Sequence, residues 1–215
     1  ILDSPHLLKD IIDEKNAIEK NSARIVAGFC WPWSKPNLDG SLVSDVKIVK
    51  DGHPPFEMPW ENKENFWKWA TDDSGMDQVG TVYTAQGFEY DYIGVIFGND
   101  LIYNLDDEKW EARPNNSYDS AVVRNNNELT KHLLNVYRVL LTRAHKGVYV
   151  YFMDESTKEK FKEHGAILAG ETADSMAFLT RLAENHRPNT ICRDTNCFCK
   201  KDYNWTIDYD EEKNT

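Results

Sequence analysis

The chain has 215 residues, 40% of them hydrophobic and 12% aromatic, too apolar for a disordered polymer and enough for one well-packed domain with additions or two small ones. A net charge of −11 argues against a strong, broadly cationic nucleic-acid surface, while leaving room for a narrow basic groove or a site completed by another domain. No stretch is long and apolar enough to span a bilayer, no secretory signal pattern is present, and four cysteines (Cys30, Cys192, Cys197, Cys199) are no disulfide framework, so a reducing, cytoplasmic setting is expected.

Ile1 to about Lys20 carries Leu7, Leu8, Ile11, Ile12 and Ile18 at helical spacing and predicts an amphipathic helix that enters from a longer chain. Ala23 to Trp31 (ARIVAGFCW) is continuously apolar, the pattern of a strand buried on both faces in a parallel sheet. Pro32 to Pro59 is rich in turn formers, with SDVKIVKDG as a short hairpin arm, and Asn62 to Ala70 predicts a short helix. QVGTVYTA predicts a strand, then a Gln-Gly turn, then a second strand in YDYIGVIFG. Asp100 to Asn127 reads as a long polar connection. Glu128 to Ala144 is the clearest helix, with Leu129, Leu133, Val136, Leu140 and Ala144 on one stripe. Gly147 is its expected stop before the strand VYVYFM, and Asp154 to Arg187 is amphipathic and helical in pattern. Strand and helix in alternation predict an α/β layered sheet.

Ligands in open α/β sheets gather at the carboxyl ends of strands, which directs attention to the strand ends near Trp31 and Tyr83 and to the helix end at Arg143. Gly87 offers backbone freedom and close approach to a ligand, and Glu89 could accept hydrogen bonds from a sugar hydroxyl; a tight turn with Glu89 solvated is the plainer alternative. Arg143, in LLTRAHKG, either complements the helix dipole or reaches across a cleft to a phosphate.

Taken together, QGFEYDYIGVI and NVYRVLLTRAHKGVYVYF resemble motifs V and VI of superfamily 1 helicases and related motor NTPases, and ARIVAGFCWPWS resembles the motif IV strand. The run FCWPWS, MPW, QGFEYDYIGVIFGNDL and YRVLLTRAHKG is closer still to the helicase-like domain of bacterial and phage proteins related to the Schlafen helicase module, over about Ala23 to Met153. The resemblance implies a three-layer α/β RecA-like domain, the second half of a motor, with a linker helix over 1–21, the domain over 22–187 and an acidic, Cys-containing tail over 188–215. It implies Arg143 as an arginine finger, Glu89 on the nucleotide ribose, Gly87 shaping the loop, and Gln86 and Thr84 between nucleotide and nucleic-acid track. ATP and Mg2+ would be the cofactors, a P-loop domain of the same parent and single-stranded nucleic acid the partners.

No Gly-Lys dipeptide occurs, so the GxxxxGK[ST] phosphate loop is missing and this chain alone is not expected to turn over ATP. Asp154 and Glu155 read as a helix start rather than a magnesium site. Trp31 and Trp33 flank a proline and either stack on bases or form a hydrophobic lid. His186, Cys192, Cys197 and Cys199 lack the paired knuckles of a zinc site. The implied function is the C-terminal motor domain of a helicase-like NTPase; the alternative is a degenerate, non-catalytic RecA-like module that binds nucleic acid or protein in a defence or regulatory protein.

Overall fold

Ser4 starts the first helix as the sequence requires: its hydroxyl accepts from the amides of His6 and Leu7, and Pro5 occupies the first turn, where no amide is needed. The computed structural model describes residues 1–50, 52–124 and 128–166. In chain order it contains α1 (Pro5–Ile18), β1 (Ala23–Ala27), β2 (Val46–Ile48), β3 (Phe56–Met58), α2 (Phe66–Trp69), β4 (Val79–Gly80), α3 (Val82–Ala85), β5 (Tyr90–Phe97), β6 (Leu101–Asn104), β7 (Lys109–Ala112), α4 (Ser120–Val123), α5 (Leu129–Leu141), β8 (Ala144–Phe152) and α6 (Glu155–Glu163). The expectations for residues 167–215, including His186 and the three tail cysteines, lie outside the described residues.

The central sheet is all parallel in the order β4-β1-β5-β8. Alternation along β5 builds two cores. Ile93, Val95 and Phe97 join Val26, Val150 and Phe152 beneath Leu133, Tyr137 and Leu140 of α5. Tyr92 and Ile96 face the other way and meet Leu8, Ile11 and Ile12 of α1. A strand covered on both faces has no polar side to show, which explains the unbroken apolar run. Helix layers on both faces of a parallel sheet make a mixed α/β fold consistent with the three-layer RecA-like architecture. The antiparallel hairpin β2–β3 caps the α1 side through Val46, Ile48, Phe56 and Met58. Among the described residues no helix is long and apolar enough to cross a membrane.

Three expectations are corrected. QVGTVYTA is not one strand: β4 stops at Gly80 and residues 82–85 are helical. The chain must return from Gly80, opposite Val26, to the amino edge of the sheet at Tyr90, and a continuing strand would run the wrong way. Residues 100–127 are more than a connection, because LIYN and KWEA pair as the β6–β7 hairpin, its turn held by Asn104 Oδ1 accepting from the amides of Asp106 and Asp107. Gly147 lies inside β8 opposite Tyr92 rather than ending α5, whose last residue is Leu141.

The carboxyl ends of β1 and β5 are tied to α5 by a buried polar cluster. The Tyr137 hydroxyl accepts from the Gly98 amide at 2.9 Å and donates to Asp100 Oδ1 at 2.5 Å. Burial pushes both the Asp100 carboxyl and the Tyr137 phenol above their usual ranges. Gly28 leaves room for that hydroxyl: a Cβ there would lie 1.9 Å from Tyr137 Oη and 2.6 Å from Cζ. The ring cannot swing aside easily, because it stacks on Phe97 with centroids 3.7 Å apart. Gly28→Ala is therefore expected to cost about 3 kcal/mol through overpacking and loss of the Asp100 bond, read as a lower midpoint in urea denaturation. Gly87→Ala, with nothing within 4 Å of its Cβ position, serves as the control and should stay within about 0.5 kcal/mol of the parent.

Candidate functional site

The loop between α3 and β5 and the junction between α5 and β8 meet at one edge of the sheet. Tyr90 pairs with Ala144, and the Tyr90 amide donates to the carbonyl of Arg143 at 2.9 Å. The edge is the amino end of β5 and β8, not the carboxyl end to which the general α/β rule pointed. Crossover connections decide this: both motifs precede their strands in sequence, so both arrive where those strands begin.

Arg143 is half-buried at the end of α5. Its Nε donates to Val139 O at 3.2 Å and its Nη1 to Gln86 O at 3.4 Å. The first bond is what an arginine does at a helix C-terminus; the second crosses to the other motif. Both are long, and a guanidinium carries further N–H donors beyond them. Gln86 and Gly87 are exposed. Gly87 does not have positive φ, so a left-handed backbone is not what selects glycine there; the open space before it is the remaining reason. Glu89 is exposed and meets His145, with Oε2 and Nε2 2.9 Å apart. Lys146 pairs with Asp91 at 2.6 Å and Glu19 at 3.8 Å.

The remaining expected site residues fall elsewhere. Thr84 is buried, and its hydroxyl donates to Glu61 Oε1 at 2.7 Å. Trp31 is only 8% exposed and donates from Nε1 to Lys47 O at 2.9 Å, so it packs under the hairpin rather than offering a face for stacking. Trp33 is half-buried against Trp60 and Phe29, with Lys63 Nζ 4.5 Å from its ring centroid. Both tryptophans follow the carboxyl end of β1, the opposite end of the sheet from Arg143. Asp154 caps α6, accepting from the Thr157 amide at 2.8 Å, as its sequence position predicts.

Glu61 escaped the sequence reading. It is 0% exposed, and one oxygen, Oε1, accepts from the Thr81 amide, the Thr81 hydroxyl and the Thr84 hydroxyl at 3.3, 2.9 and 2.7 Å. Oε2 is buried with no hydrogen-bond partner among the described residues. Burial pushes the carboxyl above its usual range, and the threonine bonds that pull it back do not cancel that. Nothing in MPWENKEN distinguishes this acid from its exposed neighbours Lys63 and Glu64 except the tryptophan beside it. A groove of about 600 Å3 between α1 and β3, lined in part by His6, Lys9, Phe56, Met58 and Asp77, lies apart from the Arg143 edge.

A parallel, helix-covered sheet that brings a Gln-Gly-x-Glu loop against an arginine-bearing helix end defines a helicase-like class of α/β module. The chain belongs to the family described as Schlafen group 3, DNA/RNA helicase domain, which matches residues 1–154. It is also similar to the uncharacterized protein YPL245W of Saccharomyces cerevisiae, with 31% identity over 173 residues, 74% of this chain and 35% of the relative. The chain thus spans about a third of the length of that curated relative. No solved structure matches it.

Glu61→Ala removes the shared acceptor of two buried threonines and is expected to cost about 2–3 kcal/mol. Glu61→Gln probes the sign of its titration. A carboxyl raised in the folded state contributes stability that is present below the unfolded pKa and lost as pH rises through the folded value. The stability of Glu61→Gln relative to the parent should therefore climb as pH rises from about 4.3, then level off, in urea titrations at stepped pH.

Proposed function

We propose that this chain is the second RecA-like domain of a helicase-like or translocating NTPase, closing over ATP that a separate P-loop domain of the same parent mainly holds. The supporting observation is the Arg143 guanidinium bonded to Gln86 O, which joins two motifs 57 residues apart at one edge beside Glu89. The residues there suit the group. Arg143 retains donors for a phosphate oxygen, Gly87 has open space in front of it, and Glu89 presents a carboxylate to a sugar hydroxyl. Bound ATP with Mg2+ supplies the phosphoryl group to be transferred. Arg143 would stabilise the charge that develops as one water attacks that group and ADP leaves, while domain closure excludes bulk water and couples the Gln86–Glu89 loop to single-stranded nucleic acid.

The second reading is a non-catalytic RecA-like module that binds nucleic acid or protein, and what keeps it in view is that the track side offers fewer of the residues a translocating motor was expected to use. Thr84 has its hydroxyl committed to Glu61 and Trp31 is buried, leaving Gln86 and the half-buried Trp33 from the expected set.

The two readings separate in nucleic-acid-stimulated ATP hydrolysis by the full-length protein. Arg143→Ala should lower turnover about 10³-fold or more while nucleotide affinity changes only a few-fold. An unchanged rate removes the arginine-finger role. An inactive parent that still binds single strands supports the binding module instead.

A further inference from the structure

We propose that His145 is the positioning residue for Glu89 and thereby sets a preference for nucleotides with an intact ribose over those lacking a sugar hydroxyl, a reading that rests on the proposed nucleotide role of this edge. One strand start supplies two hands to one loop: Arg143 reaches Gln86 O, and His145, two residues on, reaches Glu89 Oε2 at 2.9 Å. Arg143 immediately precedes β8 and His145 is its second residue, so the junction between α5 and β8 addresses two points of the loop.

Glu89 needs such a partner. Its side chain is 61% exposed, and a long exposed carboxylate samples many rotamers unless something holds it. His145 occupies one oxygen and leaves Oε1 without a partner among the described residues, free to accept from a ribose hydroxyl. The neighbouring cation Lys146 is engaged by Asp91 and Glu19 and does not substitute. The pair is too exposed to matter for folding, because ion pairs of this kind contribute little stability. Its consequence is orientation, and that distinguishes it from a surface contact without function.

The test is equilibrium binding of ATP, 2′-deoxy-ATP and 3′-deoxy-ATP to the full-length protein, alongside thermal unfolding. The wild type is expected to prefer ATP over at least one deoxy form about tenfold, the scale of one hydrogen bond to a charged group. His145→Ala should shrink that preference to about twofold or less by weakening ATP alone, with an unchanged unfolding midpoint, and His145→Gln should restore part of it. Preference retained in His145→Ala overturns the positioning role. If Glu89→Ala also keeps the preference, the ribose reading of Glu89 falls as well; if Glu89→Ala loses it and His145→Ala does not, only His145 is wrongly assigned. A wild type that binds none of the three nucleotides overturns both.

Discussion

The hydrogen bond from the Tyr90 amide to the Arg143 carbonyl, 2.9 Å long, fixes where the two motifs meet. It belongs to the first rung of the β5–β8 ladder, Tyr90 opposite Ala144, and a register shift separates that rung from the pairing of Tyr92 with Gly147 and Ile93 with Val148 further along. A parallel ladder locks register through the buried faces of both strands, since a one-residue slip would turn Val150 and Phe152 out of the core. The backbone that carries the half-buried Arg143 is tied to the sheet at this first rung, although the side chain itself makes only two long bonds.

The helix α5 is held at two points for the same reason. Tyr137 anchors its middle to Gly98 and Asp100 at the carboxyl end of β5, and Arg143 and the strand that follows anchor its end at the amino side. Glu61 does a comparable job one strand over, where it ties Thr81 and Thr84 together and so fixes the turn from which the Gln86–Glu89 loop departs. These are buried, low-dielectric networks in which each bond is stronger than in water and each missing partner is costly. Both acids involved, Glu61 and Asp100, also keep one buried oxygen without a hydrogen-bond partner among the described residues, and burial raises their affinity for a proton.

The parts of this arrangement that follow local rules were legible in the sequence. The apolar strand Tyr90–Phe97, the amphipathic helix ending near Arg143, the Asp154 helix start and the short β2–β3 hairpin come from periodicity and turn chemistry alone. What failed depended on where the chain had to go. Val82–Ala85 has strand-like composition but must turn back toward Tyr90, and Gly147 looks like a helix stop but pairs within a strand. Glu61 is invisible because an acid's burial depends on partners, Thr81 and Thr84, that only the fold brings near. That Arg143 and the Gln86 loop belong together was legible only as a family resemblance, their direct contact was not, and the expected carboxyl-end location was misleading because both motifs sit before their strands.

Charge completes the case for the amino edge. In a chain of net charge −11 most cations are expected to find carboxylates, and beside the loop Lys146 does so twice. Arg143 instead lies against two carbonyl oxygens, Val139 and Gln86, with no ion pair to a carboxylate among the described residues. Carbonyls orient a guanidinium without neutralising it. The permanent positive charge is therefore held in place and still available, the condition a group needs if it is to stabilise negative charge appearing elsewhere. Had a carboxylate held Arg143, an incoming phosphate would first have to displace it.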